Sequence, residues 1–351
     1  MKHTTQKLML QVLAALVPGT IVLTYFLGAG ILINILVAIL AALVAESLCL
    51  SLRTGKPGDA DSSTVSSQLK DGSAMVTAVL LALCLPPFIS IWLVITGTVF
   101  AIVFGKHIYG GLGHNVFNPA MAGFAVLILS FPFAMSQWPA LSPYDPTQDV
   151  VGSILAAQPG FTELISIKSG FFPIPDGISA ATPLDVLKFR GNQTIEEVWS
   201  SGNGFHAFAG VGWGWVNLAF LGGGLYLLKI GVIQYRAPLA MLITLSVLAT
   251  LFYDSGSSDS FGSPLFHLGS GGTMLAAFFV VTDPVTSPGG KEGQWIFGIG
   301  VGVITFVIRV TGAYPEGIAF AILLMNGATP LIDRLRLTPP AGLMKIKEVF
   351  K

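Results

Sequence analysis

Between Asp176 and Asp185 the sequence reads DGISAATPLD, a polar stretch in a chain that is otherwise mostly apolar. Thr182 within it admits two kinds of chemistry. Followed by Pro183, Leu184 and Asp185, it has the form of a helix start, with threonine as N-cap, proline first and an acid third. Flanked by Ala180 and Ala181, it is also a hydroxyl with room around it for a modifying enzyme, since an unaided threonine is a poor nucleophile. Two carboxylates sit instead in apolar surroundings. Glu46 lies about two helical turns before Arg53, at a depth where an acid is either functional, bonded to a neighbouring helix, or snorkelling outward. Asp283 closes an apolar run just before Pro284; it can bind a cation beside freed carbonyls, cap a helix, or pair with Lys291.

Other candidates lead mainly to exclusions. Cys49 and Cys84 lie in apolar runs and form no CxxC, so the chain has no thiolate site for zinc or an iron–sulfur cluster and no disulfide framework. The five histidines are scattered without ligand spacing. KHIYGGLGHNVFNPAMAG, Lys106 to Gly123, is too rich in glycine for a regular helix and lacks the GK[ST] of a phosphate-binding loop. Its Asn118-Pro119 reads as the cap and first residue of the next helix. Ser270-Gly271-Gly272-Thr273 offers a second threonine among small residues, but it opens an apolar run and reads as a close-packed helix start. Arg309, at the end of another run, reads as an attractor of anions or as a solvated helix end.

The elements that must position these residues are membrane helices. The 351 residues are 53% hydrophobic and 10% charged, against roughly 25% charged in a soluble domain, and mean hydropathy is +0.75. Zero net charge gives no field that would attract nucleic acid. Apolar runs predict ten helices near 8–27, 31–52, 73–85, 91–105, 120–136, 214–230, 237–253, 272–283, 294–311 and 316–332. The first is basic at its start, as a signal peptide would be, but apolar character resumes at once and it reads as an uncleaved span. With the N-terminus in the cytoplasm, Lys168, Lys188, Arg190 and Arg309 are the basic residues left on or bordering the other side. The remaining fourteen fall in cytoplasmic segments, which places both termini there. The long acidic segment 137–212, with Thr182, then faces the exterior, the periplasm of a bacterium.

A weak internal repeat runs at an offset of 199 residues, DGSAMVTA at Asp71 against SGGTMLAA at Ser270. Five spans per half would invert the second copy, and the matching segments are the two short ones, each ending at proline. Short, proline-interrupted spans in corresponding positions point to discontinuous helices and a site near the midplane; glycine-eased packing is the plainer alternative. The fold expected is an all-α polytopic membrane protein of about ten helices. It divides into a first five-helix repeat at 1–136, a loop domain at 137–212, a second inverted five-helix repeat at 213–334, and a cytoplasmic tail at 335–351.

Asp176, Ser179, Ala181 and Thr182 match D-x-x-[ST]-G-A-T, a motif in which FMN is joined through its phosphate to the threonine; Ala180 replaces the usual glycine. This motif, the Lys106–Gly123 loop and FFVVTDPVTSP at Phe278 together resemble the D subunits of Rnf electron-transport complexes. The B subunits of sodium-translocating NADH:quinone reductases are more distantly similar. The resemblance spans about residues 8–334. It implies FMN on Thr182, with Asp176, Ser179 and Ala181 as recognition elements for a flavin transferase, and it allows a non-covalent riboflavin without placing it. It also implies an inner-membrane complex with a second flavoprotein subunit and iron–sulfur subunits, moving electrons between ferredoxin and NAD⁺ and coupling this to Na⁺ or H⁺ translocation. Glu46 and Asp283 are the candidate coupling residues, and this chain alone is not expected to catalyse a reaction. The alternative is a secondary transporter of inverted-repeat fold without flavin, which would have no evident use for DGISAATPLD in an exported loop.

Overall fold

In a lipid environment a backbone must satisfy its own hydrogen bonds, so long apolar runs become helices. The computed structural model describes residues 5–53, 69–139, 161–170, 179–200, 205–206, 209–210, 212–254, 257 and 259–335. Helices form in all ten apolar segments. The first five are α1 (Thr5–Leu27), α2 (Gly30–Arg53), α3 (Ser73–Leu83), α4 (Ile91–Ile102) and α5 (Pro119–Ser130). A middle region of short elements follows: α6 (Pro132–Met135), β1 (Trp138–Pro139), α7 (Phe161–Ser169), β2 (Ser179–Ala180), α8 (Pro183–Lys188), α9 (Ile195–Ser200), β3 (Phe205–His206) and β4 (Ala209–Gly210). Then come α10 (Trp213–Lys229), α11 (Arg236–Leu251), α12 (Pro264–Gly269), α13 (Thr273–Leu275), α14 (Lys291–Thr311) and α15 (Ile318–Leu335). By length and composition, α1, α2, α14 and α15 are each long and apolar enough to cross a membrane.

Several spans depart from the regular helices that apolarity alone predicts. The fourth continues as a π-helical turn, Val103–His107, and the eighth is one α-turn followed by a π-helical stretch, Ala276–Val280. The fifth breaks at Phe131, since Pro132 has no N–H to continue the ladder. The main core lies between α1, α3, α10 and the α13 segment and is built largely from alanine, leucine and phenylalanine. Gly223 lets α10 lie directly on the Ala15 carbonyl of α1, where any Cβ would collide.

Each break frees backbone groups, and buried side chains take them up. Asn34 donates to Pro86 O at 3.0 Å, beyond the end of α3. Asn217 of α10 donates to Gly269 O and Gly271 O, both at 2.9 Å, and accepts from Met274 N at 3.0 Å, bridging α12 and α13. Asn326 of α15 donates to Thr286 O at 3.1 Å and accepts from Asn118 N at 3.0 Å. Lone asparagines inside apolar runs are the sequence signal for these sites, and a search for ionisable groups passes over them.

Lys168 is as fully buried as Asn34. It projects from α7 with no exposed surface, and its Nζ donates to Asn34 Oδ1 at 2.6 Å, Pro87 O at 2.9 Å and Ile89 O at 3.1 Å. The middle region is thereby pinned to the break after α3. Burial pulls this ammonium's pKa down from 10.5 to about 7. The unfolded chain therefore binds more protons between about pH 7 and 10, and this group makes the fold more stable as pH rises through that window. Thermal unfolding in detergent from pH 7 to 10 checks it: Lys168→Met should flatten part of the rise seen in the wild type. An unchanged slope would count against the burial.

Candidate functional site

Thr182 is both the end of an extended stretch and the start of α8. β2 pairs antiparallel with β1, Trp138 opposite Ala180 and Pro139 opposite Ser179, which ties the residues before Thr182 to the chain leaving α6. Thr182 itself has extended dihedrals, φ −69° and ψ 162°, and Pro183 takes the first helical position. The expected cap is present as a full capping box. Asp185 N donates to Thr182 Oγ1 at 3.3 Å and Thr182 N donates to Asp185 Oδ2 at 2.9 Å. A third bond joins the two side chains, Thr182 Oγ1 donating to Asp185 Oδ2 at 2.5 Å.

α8 is fixed on its far side by cations. Lys188 Nζ donates to Ile308 O, Arg309 O and Tyr314 O at 3.2, 3.3 and 2.8 Å, so it caps the C-terminal end of α14. Partial burial lowers the Lys188 pKa, and nearby Asp185 offsets some of that. Arg190 donates to Leu187 O at 2.7 Å and to Ser260 O. Leu184 and Leu187 pack with Ile195, Val198 and Phe266 in a small core of their own. A six-residue helix would not hold in isolation; here tertiary contacts hold it.

Thr182 and Asp185 line a cavity of about 170 Å³ between the middle region and the helices. That is roughly ten times the ~10–15 Å³ that one water needs. Its wall is mainly apolar and includes Phe124, Trp138, Trp213, Phe220 and Tyr314. Glu316 also faces it, with its charge balanced by Arg309 Nη2 at 3.0 Å and by Gly272 N at 3.3 Å. Arg309 is 4% exposed and also bonds His267 O and Thr273 Oγ1. It is therefore an internal tie holding the Ser270–Thr273 turn, and the solvated helix end expected from its position is corrected. The rival Thr273 is fully buried, its hydroxyl donating toward His267 O and Ser270 O, each at 2.9 Å. A transferase could not reach it without opening the core.

Of the remaining motif residues, Ser179 contributes backbone to β2, Ala181 is exposed, and Asp176 lies outside the described residues. The sequence gives Asp185 only as a capping acid; its contact with the hydroxyl depends on side-chain geometry that spacing does not reveal.

A second polar cluster lies among α2, α3 and the π-helical turn. Glu46 is 2% exposed, so it does not snorkel. Its Oε1 accepts from Lys106 Nζ at 2.6 Å, and His107 Nε2 lies 3.0 Å from its Oε2. Lys106 Nζ also donates to Ser73 Oγ at 2.8 Å, and Ser73 Oγ donates to Asp71 Oδ1 at 2.6 Å. Lys106, which the charge bias counts as a cytoplasmic loop residue, is buried at 2% exposure. Asp283 accepts from Asn118 Nδ2 at 3.1 Å, Val285 N at 3.0 Å and Thr286 Oγ1 at 3.1 Å, the geometry of a turn cap. Lys106 and Asp283 both line a cavity of about 140 Å³. Among the described residues no group of three or more His, Cys, Asp or Glu side chains is placed to hold a metal ion.

Comparison with known proteins gives a consistent picture. Residues 1–341 match the model of the NQR2, RnfD, RnfE family. The chain is 49% identical over 331 residues to the D subunit of the ion-translocating oxidoreductase complex of Ectopseudomonas mendocina, covering 94% of this chain and 90% of that protein. Against the protein of the same name from Pseudomonas aeruginosa strain UCBPP-PA14 it is 46% identical over 349 residues, 99% and 95% of the two chains. Against that from Escherichia fergusonii it is 42% identical over 341 residues, 95% and 93%.

Removing one member of a buried ion pair strands the other. Glu46→Met should therefore destabilise the protein by about 3–5 kcal/mol, while Glu46→Met combined with Lys106→Met recovers most of the loss. Unfolding of both variants in detergent checks this, and a double variant as unstable as the single one would show that the pair is not the source.

Proposed function

This chain belongs to the NQR2, RnfD, RnfE family, and from that membership we propose that it is the D subunit of an ion-translocating oxidoreductase complex, relaying electrons through FMN esterified to Thr182. The observation that carries the reading is the placement of Thr182. Partly exposed, it lines an apolar cavity with aromatic walls, whereas the rival Thr273 is sealed in the core. Aromatic and aliphatic walls suit a planar ring system, and a partly exposed tether suits a phosphate that stays near water. The two carboxylates that line it are already compensated, Asp185 by its cap bonds and Glu316 by Arg309. When bound, FMN would supply the one- and two-electron chemistry, and the chain would supply its position, surroundings and exclusion of water. Thr182 holds the phosphate end, while Trp138, Trp213 and Tyr314 border the space for the ring.

The orientation that follows puts both termini in the cytoplasm and the middle region in the periplasm of a bacterial inner membrane. The five-plus-five inverted arrangement belongs to the same proposal, supported by helix pairings that recur in both halves. α2 packs on α4 as α11 packs on α14, α4 on α5 as α14 on α15, and α1 on α3 as α10 on α13. α1 against α10, and α5 against α15, join the halves. Electrons would pass to and from a second flavoprotein subunit and iron–sulfur subunits, as the family resemblance implies, and a flavin transferase would load Thr182. A non-covalent riboflavin is part of the proposal, with no residues assigned to it. For Na⁺ or H⁺ translocation the candidate groups are Glu46, joined to Lys106, and Asp283; Lys106 and Asp283 share one cavity. A transporter without flavin would use the breaks and cavities but leaves the Thr182 pocket unexplained.

Intact mass, in-gel fluorescence and peptide mapping of the denatured chain test the attachment. Co-produced with a flavin transferase, the wild type should carry an FMN-sized adduct on the Thr182 peptide. Thr182→Ala should lose it while folding normally, and Thr273→Ala should keep it. Fluorescence retained by Thr182→Ala would sink the assignment.

A further inference from the structure

The capping box at Thr182 carries a bond that a cap does not require. Thr194 and Glu197 form the same box at the start of α9, with Thr194 N donating to Glu197 Oε2 at 2.8 Å and Glu197 N donating to Thr194 Oγ1 at 3.2 Å. There the two reciprocal backbone bonds complete the motif. At Thr182 the shorter aspartate brings its carboxylate onto the hydroxyl as well, and the hydroxyl donates to Asp185 Oδ2 at 2.5 Å. A distance that short belongs to the charge-assisted O–H···O⁻ class. Both partners face the 170 Å³ cavity. The contact is also held rigidly, because α8 is clamped by Lys188 at one end and by β2 at the other.

We propose that Asp185 is the base that accepts the Thr182 hydroxyl proton when the flavin phosphate is transferred, so that the loop brings a catalytic residue of its own to the modifying enzyme. This rests on Thr182 being the attachment point. With a flavin dinucleotide as donor, the Thr182 Oγ–phosphorus bond forms at the flavin phosphate as the bond from that phosphorus to the bridging pyrophosphate oxygen breaks, the bridging oxygen staying with the adenylate. The adenylate leaves with the electron pair, the hydroxyl proton passes to Asp185 Oδ2, and nothing is oxidised or reduced. Thr182 Oγ1 then ceases to be a donor, while its backbone N–H still caps through Asp185.

The experiment uses the full-length chain in detergent with a flavin dinucleotide and a purified flavin transferase, following the initial rate of adduct formation on the mapped Thr182 peptide. Asp185→Asn keeps the shape of the side chain and a cap acceptor but not the base. Asp185→Glu keeps a carboxylate and the form of box seen at Thr194. Thermal unfolding identifies any variant that fails to fold. The expected order is wild type fastest, Asp185→Glu intermediate and Asp185→Asn slower by about a hundredfold, within the range of general-base contributions. Asp185→Asn within threefold of wild type would overturn the proposal, as would Asp185→Glu as fast as wild type. Absence of an adduct on the wild type, with a control substrate flavinylated, would remove the Thr182 reading itself; a normal wild-type adduct with unaffected variants removes only the role of Asp185.

Discussion

The constraint on which the rest of this structure depends is the backbone carbonyl without a helical partner. Helices that stop, kink or widen among apolar neighbours leave such groups behind, and each one left unpaired away from water costs about 1–3 kcal/mol or more. Here the breaks after α3, between α12 and α13 and after α14 are each met by a long polar side chain from elsewhere in the sequence. Asn34 and Lys168 take the first, Asn217 the second and Lys188 the third. Lys168 and Lys188 come from the middle region, so the same bonds that satisfy the breaks also fasten that region to the helices. The position of Thr182 follows: α8 sits where the end of α14 needs a cation.

This coupling explains how a loop can carry a defined site. Loops position functional groups well only when a scaffold fixes them, and α8 is too short to be stable by itself. Its clamp at Lys188, its pairing through β2 and its apolar underside are supplied by separate elements, leaving one face of Thr182 toward the cavity. The opposition between a helix cap and an attachment point is then only apparent. The cap bonds use the backbone N–H groups of Thr182 and Asp185. They orient the hydroxyl and occupy one of its two lone pairs, which leaves the other for the phosphorus of the proposed attachment.

What the sequence makes legible follows from what each pattern encodes. Apolar runs mark all ten helical segments, because burial in lipid is a local property of composition. Thr182-Pro183-Leu184-Asp185 marks the cap, because capping is decided within four residues. Partners far apart in sequence are not legible: Lys106 reaches Glu46 across 60 residues and Lys188 reaches Tyr314 across 126. Charge bias treats Lys106 as a surface cation, since the rule counts residues near helix ends without knowing which way they turn. The π-helical turn at Val103–His107 directs Lys106 and His107 toward Glu46, and no periodicity announces such a turn. Asn34, Asn217 and Asn326 are visible as isolated amides in greasy segments, but their roles depend on where neighbouring helices break.

The two polar clusters differ in a way that bears on what each can do. At Thr182 the carboxylate is bound to the hydroxyl and backbone N–H of one residue, in the lining of a cavity. Its charge is stabilised by dipoles, and the backbone one stays in place when a proton moves. At Glu46 the carboxylate is matched by a buried ammonium, which is itself bonded to Ser73. Neutralising Glu46 would leave Lys106 as an uncompensated charge in a region that solvates it poorly. A charge change there therefore calls for a compensating one among its neighbours, which include His107 as well as Lys106, or for rearrangement of the π-helical turn that carries both. Cation movement through this cluster would have to be concerted with such a change, whereas the proton transfer proposed at Thr182 would use the bond already formed.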